Sequence, residues 1–225
     1  MMLRERTFAL ITFRKVGRLR FLGHLDVVRA FDRAIRRAKL PVAYSQGFSP
    51  HTLLSFAMPL PVGIAGENEL AGLELSVEWD PRAVYKSLSL QLPPELGIVG
   101  VQMMQKSKRS VFADLAGADY RADITGAEEA ALQQAVRDLQ AEREWIIHRT
   151  TKSKDLDLDL RPRVHGLIAR EHSLLMRLGL GQETLAKPEE VVQLVSRHLG
   201  APVQASLSRL ALYTERQLPF TPALQ

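Results

Sequence analysis

Apolar positions in the first half of the chain follow two spacings, one typical of strands and one typical of helices. Thr7–Arg14 is apolar on both faces, which predicts a central buried strand. From His24 onward, apolar residues recur every three to four positions, which predicts an amphipathic helix that ends at Pro41. Asp80-Pro81 is a typical helix start, with Asp as N-cap and Pro at the first helical position. The apolar stripe of the first predicted helix consists of Leu25, Val28, Phe31, Ile35 and Ala38.

The remaining segments of this half are extended and complete a β-α-β-β-α-β order. Arg18–Leu22 alternates like a short strand or an extended loop, and Pro41–Ser45 is a short strand candidate. The helix that starts at Asp80 is predicted to run to about Leu90. The longer predicted strands are Leu53–Met58, Glu69–Val77 and Ile98–Met104.

The second half repeats this order with a longer middle. An amphipathic helix is predicted at Glu128–Arg143, and another begins at Lys187-Pro188. The apolar face of the first of these helices is predicted to be Leu132, Ala135, Val136 and Leu139. The predicted strands of this half are Tyr120–Ile124, Trp145–Thr150, the alternating segment Asp155–Leu160, Ser173–Leu178 and Leu207–Thr214.

The repeated order predicts an α+β protein built from two tandem ferredoxin-like domains, each with an antiparallel sheet and two helices on one face. The predicted bounds are 1–104 for a basic N-terminal domain and 119–215 for the C-terminal domain. A polar, basic linker at 105–118 joins them, and residues 216–225 form a tail.

Charge is distributed unevenly along the chain. Residues 1–40 hold 11 Lys/Arg and 3 Asp/Glu, a balance of +8, whereas residues 41–80 hold no Lys/Arg and 5 Asp/Glu. A basic segment of this kind favours a polyanionic partner, most often nucleic acid, although a solvated surface without a partner has the same composition. The chain has no cysteine, which excludes disulfides, Cys nucleophiles and thiolate ligation of metals or iron–sulfur clusters by this chain. It has no apolar run of about 18 residues and no apolar leader segment, so we expect a cytoplasmic protein without a membrane partner.

Arginines dominate the basic segment. Arg14, Lys15, Arg18 and Arg20 precede the first predicted helix. Guanidinium groups bind phosphate oxygens in pairs of parallel hydrogen bonds, so a row of arginines on one helix face is typical of phosphate binding. The alternative is an exposed face that Asp32 partly neutralises. The predicted phosphate-binding residues on the helix are Arg29, Arg33, Arg36 and Arg37.

A second group of residues lies at the start of that helix and in the loop that follows it. His24 opens the helix, where free backbone N–H groups favour anions, and Asp26 lies in its first turn. The loop Ser45–His51 contains Gly47 and Pro50 and can fold back sharply. We predict that His24, Asp26, Ser45, His51 and Arg20 line one pocket. The full set of predicted substrate-binding residues is Arg18, Arg20, His24, Asp26, Ser45 and His51.

Two histidines in one pocket could also serve as acid and base in metal-independent attack of a 2′-hydroxyl on a phosphodiester, which makes His24 and His51 the catalytic candidates. The alternative is that His24 caps the helix and His51 makes a structural hydrogen bond. A row of carboxylates at Asp155, Asp157 and Asp159 could in principle hold Mg²⁺ or Ca²⁺. Because Lys and Arg residues flank it, we interpret the row as exposed ion pairs and predict no metal site.

Three stretches resemble a known family, namely Gly17–Asp26, Ser45–His51 and Ser55–Gly63. They are similar to the radical-SAM-associated domain of unknown function, which occurs alone or C-terminal to radical SAM proteins with a B12-binding-type region. Asp159–Pro162 and the turn before Lys187-Pro188 look like later motifs of that family, and the resemblance covers about residues 5–215. It implies a radical SAM protein as partner. S-adenosylmethionine and the iron–sulfur cluster would be bound by that partner, with no cofactor on this chain.

These observations lead to three functional hypotheses. The first is an accessory module, without activity of its own, that binds RNA or an RNA–protein assembly and positions it for the radical SAM partner. The second is a metal-independent RNA-cleaving enzyme that uses His24 and His51. The third is an interaction scaffold whose basic face docks on an acidic surface of the partner.

Overall fold

The computed structural model describes residues 7–105, 110–150, 155–181 and 185–214, and within them the protein is a mixed α+β structure with antiparallel strands and four α-helices. The chain divides into two compact units, Met1–Ala113 and Asp114–Gln225. None of the helices in the described ranges is long and apolar enough to cross a membrane.

Unit 1 has the predicted order of elements. Strand β1 lies between β3 and β4, and β2 pairs with the outer side of β3, so the strand order is β4-β1-β3-β2 with every pairing antiparallel. Short 3₁₀ helices cover Gly17–Phe21 and Pro94–Leu96. The elements are β1 (Thr7–Lys15), α1 (His24–Ala38), β2 (Leu54–Phe56), β3 (Ala65–Leu75), α2 (Pro81–Ser89) and β4 (Ile98–Gln105).

The core of unit 1 forms between the sheet and the helices. Phe31 of α1 contacts Phe13 of β1 edge-to-face, with 4.9 Å between the ring centroids, and contacts Phe56 of β2 at 5.4 Å. The predicted stripe of α1 was partly wrong, because Leu25 is 66% exposed. Spacing alone fits several rotations of a helix, and packing against the aromatic cluster selects the rotation that buries Val27, Phe31, Ala34 and Ile35.

Two short segments of unit 1 differ from the prediction. The alternating segment before α1 is a 3₁₀ helix, Gly17–Phe21, because Gly17 adopts a positive φ of 56° and turns the chain. Pro41–Ser45 is not a strand, although Val42 bridges to Leu75 and Tyr44 bridges to Thr52.

Unit 2 has the same order of helices and sheet strands, with one insertion. Its sheet order is β10-β5-β9-β8, again antiparallel, and β6 and β7 form a separate hairpin. Strand β8 follows the 3₁₀ helix Arg161–Arg163 and was not predicted. The elements are β5 (Leu115–Thr125), α3 (Glu129–Ala141), β6 (Ile146–Thr150), β7 (Asp155–Asp159), β8 (Val164–Arg170), β9 (Ser173–Gly179), α4 (Pro188–Leu199) and β10 (Gln204–Thr214).

The apolar face predicted for α3 is confirmed. The buried residues of this helix are Leu132, Ala135, Val136 and Leu139. The segment between the units is shorter than the predicted linker 105–118, because β4 includes Gln105 and β5 already begins at Leu115. Residues 106–109 of that linker and the predicted tail 216–225 lie outside the described residues.

Candidate functional site

Four arginines form one exposed face of α1, which we call the arginine face (Arg29, Arg33, Arg36 and Arg37). At about 100° per residue these positions fall within an arc of about 100°, on the side of the helix opposite the buried residues. All four are exposed. The side chains of Arg29 and Arg36 have 67% and 64% of their surface accessible. The predicted clustering on one face is therefore present.

Three of these arginines have partners that hold them in place. Arg29 pairs with Asp26 at 3.5 Å, and Arg36 pairs with Asp32 at 3.0 Å. Arg37 donates from Nε to the side chain of Gln91 at 3.0 Å and from Nη2 to the Gln91 carbonyl at 2.7 Å. Within the described ranges Arg33 has no hydrogen bond or ion pair, so every donor of its guanidinium can bind a ligand.

The basic residues before α1 do not share one role. Arg18 is exposed, and the Arg20 guanidinium lies over the ring of Phe21, 4.9 Å from its centroid. Lys15 was predicted to belong to the basic surface, but it is only 2% exposed. Its Nζ donates to the carbonyls of Arg20 and Leu22, both at 3.2 Å, and so ties the 3₁₀ helix to β1. This buried amine is a structural element and cannot contact a phosphate in solution.

A small cavity lies at the N-terminus of α1, which we call the His24 cavity. It measures about 20 Å³, room for about one water molecule. The ring of His24 packs edge-to-face on Phe56, with 5.5 Å between centroids. The polar groups that line this cavity are Lys15, His24 and Glu69.

Glu69 is the second buried charge of this cavity and was not among the predicted site residues. It is 3% exposed. Its side chain folds back over Gly66, where an added Cβ would lie 2.6 Å from the Glu69 Cγ. Gly66 is opposite Lys15 in the sheet register, so the glycine makes room for a carboxylate beside the buried amine. The sequence did contain a signal that could have identified Glu69, namely a charged residue at a strand position that faces the core.

The loop after α1 closes on itself through Ser45 and His51. The Ser45 hydroxyl is hydrogen-bonded to His51 Nδ1 at 2.8 Å and accepts the His51 backbone N–H at 3.1 Å. The next residue, Thr52, donates its hydroxyl proton to Asp32 at 3.0 Å. Asp32 lies eight residues after His24, about 12 Å further along the helix axis.

These contacts group the predicted pocket residues in pairs. Ser45 contacts His51, and Asp26 contacts Arg29 on the arginine face. Within the described residues, no hydrogen bond, ion pair or ring contact links His24 to Asp26, Ser45 or His51. A single pocket that contains all of them stays a prediction.

The acidic row in the β6–β7 hairpin is used for ion pairing and capping. Asp157 pairs with His148 at 2.9 Å. Asp159 accepts the backbone N–H of Trp145 at 2.7 Å and that of Arg161 at 2.9 Å. Among the residues described here, no group of three or more His, Asp or Glu side chains is placed to hold a metal ion.

Unit 2 contains a buried polar network that the sequence did not indicate. Arg177 donates two hydrogen bonds to Asp119, at 2.6 and 2.7 Å, and its guanidinium lies 4.3 Å from the ring centroid of Tyr213. The Tyr213 hydroxyl is 3.3 Å from His165 Nδ1. Arg177 is 7% exposed and Tyr213 is 3% exposed. The hydrogen bonds to Asp119 raise the pKa of Arg177, so this charge persists at any ordinary pH.

Alkaline pH is expected to destabilise the protein through Tyr213. Burial raises the pKa of Tyr213 to about 12 from its ordinary 10, and the nearby Arg177 charge offsets only part of this. The unfolded chain therefore ionises first as the pH rises above 10, and up to about 2.7 kcal/mol of unfolding free energy is lost between pH 10 and 12. Urea unfolding across this range should show the loss, and Tyr213→Phe should remove it. Parallel pH profiles for the two proteins would contradict the expectation.

Comparisons with known proteins identify the family of the chain. No curated protein matches the chain. A solved structure described as an unknown protein from Galdieria sulphuraria has 11% sequence identity, with 92% of this chain and 99% of that chain covered and a TM-score of 0.26. Residues 9–188 match the model of a family described as an uncharacterized protein conserved in bacteria. That match spans most of the chain, which therefore belongs to the DUF2344 family.

Proposed function

We propose that the protein is an accessory module that binds RNA through unit 1 and positions it for a partner radical SAM protein. The observation that supports RNA binding is the arginine face, a set of four exposed arginines within one arc of α1. Phosphate oxygens are the ligands that a row of guanidinium groups binds best.

The partners of the arginines support binding in two ways. Contacts with Asp26, Asp32 and Gln91 restrict the motion of three guanidinium groups, which reduces the side-chain entropy lost when a phosphate binds. Arg33 contributes a full positive charge in the middle of the face. The two aspartates also weaken the local field, so we propose moderate affinity, micromolar or weaker.

The radical SAM partnership rests on the resemblance in Gly17–Asp26, Ser45–His51 and Ser55–Gly63. In this proposal the partner binds S-adenosylmethionine and the iron–sulfur cluster. The chain contains no cysteine for such a cluster, which agrees with that division of roles.

We also propose that both units are ferredoxin-like domains. The strand orders β4-β1-β3-β2 and β10-β5-β9-β8 support this, because each has the first and third sheet strands in the centre and the fourth and second at the edges. The β6–β7 hairpin is then an insertion between the first helix and the second sheet strand of unit 2.

Binding has more support than RNA cleavage by the two histidine candidates. The His24 ring packs on Phe56, and the Nδ1 atom of His51 is occupied by Ser45. A pair of residues that acts on one phosphodiester must reach the same group directly or through one water. These two contacts support a packing role for the His24 ring and a structural hydrogen bond for the His51 ring.

The test of RNA binding is the salt dependence of affinity for a labelled oligonucleotide. Arg33→Gln should weaken binding roughly threefold to tenfold, since a charge-assisted contact at an exposed site contributes on the order of 1 kcal/mol. It should also make the slope of log affinity against log salt about 0.7 less negative, the change expected for the loss of one phosphate contact with a single strand. Titrations at several salt concentrations measure both quantities.

Arg170→Gln is the matched control, because Arg170 is also exposed and without a partner in the described part of the chain but lies in unit 2. It should leave affinity and slope unchanged. Affinity of the unaltered protein that does not depend on salt would contradict RNA binding and favour the scaffold hypothesis. For the partnership, a tagged chain purified from cells should recover a radical SAM protein, and failure to recover one would contradict that part.

A further inference from the structure

Two exposed aromatic residues lie on the hairpin-like segment after α1, which we call the aromatic arm (residues 43–53). Its two sides are joined by backbone hydrogen bonds from Leu53 to Ala43 and from Ser45 to His51, both 2.9 Å. Phe48 at its tip is fully exposed, and Tyr44 is 46% exposed. An aromatic ring that stays exposed to water forgoes a stabilising free energy, because full burial of a Phe side chain is favourable by about 1.5–3 kcal/mol relative to exposure.

The aromatic arm is attached to the helix that carries the arginine face. Thr52, which is 6% exposed, donates its hydroxyl proton to Asp32 at 3.0 Å. The same carboxylate pairs with Arg36 at 3.0 Å. One aspartate therefore connects the base of the arm to a member of the arginine face.

The strand pairing in the arm gives the direction of Tyr44. Tyr44 and Thr52 are directly opposite each other in an antiparallel bridge. Opposite residues in such a pair lie on the same face. Because the Thr52 side chain contacts α1, the Tyr44 ring lies on the side of the arm that faces this helix. Phe48 follows Gly47, whose positive φ of 127° turns the chain at the tip of the arm.

We propose that the aromatic arm stacks unpaired bases of a single-stranded RNA whose phosphates contact the arginine face. This inference rests on the proposed function and adds the class of RNA. Proteins that bind single strands combine a basic surface along the backbone with aromatic rings on which successive bases stack. Bases in a duplex are already stacked and paired, so they cannot use Tyr44 and Phe48.

Charge and spacing favour a nucleic-acid strand over an apolar protein surface. Residues 1–40 carry 11 Lys/Arg and 3 Asp/Glu, and the segment from Gln46 to His51 contains no acidic residue. The residues next to Phe48 in the chain are Gly47 and Ser49, so Phe48 is the one large apolar side chain of the tip. Aromatic rings on an arm that is joined through Asp32 to the helix with the guanidinium groups match the alternation of bases and phosphates.

The experiment compares a 12-nucleotide single-stranded RNA that contains 2-aminopurine with a 12-base-pair RNA duplex, using the full chain. The fluorescence of 2-aminopurine should fall on binding, because stacking quenches it. Phe48→Ala should weaken single-strand binding about 5- to 150-fold and reduce the quenching, because one base–aromatic stack is lost. It should leave duplex affinity and the salt slope unchanged, because no phosphate contact is removed. Phe48→Tyr should restore single-strand binding, since the ring is retained.

Tyr85→Ala is the matched control, because Tyr85 is another exposed aromatic residue of unit 1 (42%) that lies on α2, outside the arm. It should change neither the single-strand affinity nor the duplex affinity. Equal loss of single-strand and duplex binding in Phe48→Ala would overturn the inference. If the protein binds RNA and Phe48→Ala does not change that binding, the inference about the arm is also overturned. The proposed RNA binding by the protein would stand, and a protein partner for the arm would be favoured. Failure of the unaltered protein to bind either RNA would contradict the proposed function itself.

Discussion

Replacement of Asp119 by Ala is expected to lower the free energy of unfolding of the protein by about 3–5 kcal/mol. Asp119 accepts two hydrogen bonds from Arg177, and the two side chains are only 20% and 9% exposed. The variant leaves a buried guanidinium without the carboxylate that balances it, and Arg177 cannot lose its proton to avoid this cost. Chemical denaturation followed by circular dichroism measures the change.

Asp123→Ala is a matched control on the same strand and the same face of the sheet. Asp123 also pairs with an arginine, Arg121, at 3.1 Å, but the two side chains are 49% and 41% exposed. Exposed pairs contribute about 0–1 kcal/mol, so this variant should lose little. Similar losses for the two variants would show that burial of the Asp119–Arg177 pair does not determine its importance.

Reversal of all four charges on the arginine face is expected to abolish RNA binding. If Arg29, Arg33, Arg36 and Arg37 each contact one phosphate, they contribute about −2.8 to the slope of log affinity against log salt for a single strand. Glu at these positions replaces attraction with repulsion, while the buried face of α1 is unchanged. Titration at low salt, where electrostatic attraction is strongest, is the strictest test.

The reversed variant needs a neutral companion, because Glu at positions 29 and 36 would face Asp26 and Asp32. Like charges at this spacing destabilise a helix by a few tenths of a kcal/mol per pair. The same four positions changed to Gln avoid that repulsion and should still lose most of the binding. Binding that persists in both variants while their thermal unfolding is normal would exclude the arginine face as the RNA-binding surface.

The order of helices and sheet strands in unit 1 was predictable from the sequence because the two apolar periodicities are distinct. The start of α2 at Asp80-Pro81 was also predictable, since Asp80 accepts the backbone N–H of Arg82 at 3.0 Å as an N-cap does. The rotation of α1 was not predictable, because apolar residues occupy both its buried side and part of its exposed side, including Leu25. Strand β8 was missed because its burial depends on pairing with β9 and not on a local pattern.

For the candidate site, clustering of the arginines on one helix face followed from their spacing alone. The charges at Lys15, Asp119 and Arg177 could not be separated from ordinary surface charges, since their burial arises from contacts distant in sequence. Ser45 and His51 were predicted to line one pocket with His24, and a structural hydrogen bond of His51 was the alternative; the Ser45–His51 contact itself was not predicted. Its distance from the start of α1 depends on how Thr52 is fixed against Asp32, and no sequence pattern encodes that contact.

The burial of Lys15 also determines how its amine reacts. Amine-directed reagents require an accessible, unprotonated amino group, and the Lys15 Nζ is hydrogen-bonded to two carbonyls with only 2% of the residue exposed. Acylation of Lys15 therefore requires that the 3₁₀ helix Gly17–Phe21 first separates from β1. The rate of acylation, measured by mass spectrometry, then reports how often the contact between the end of β1 and the 3₁₀ helix opens in the native protein.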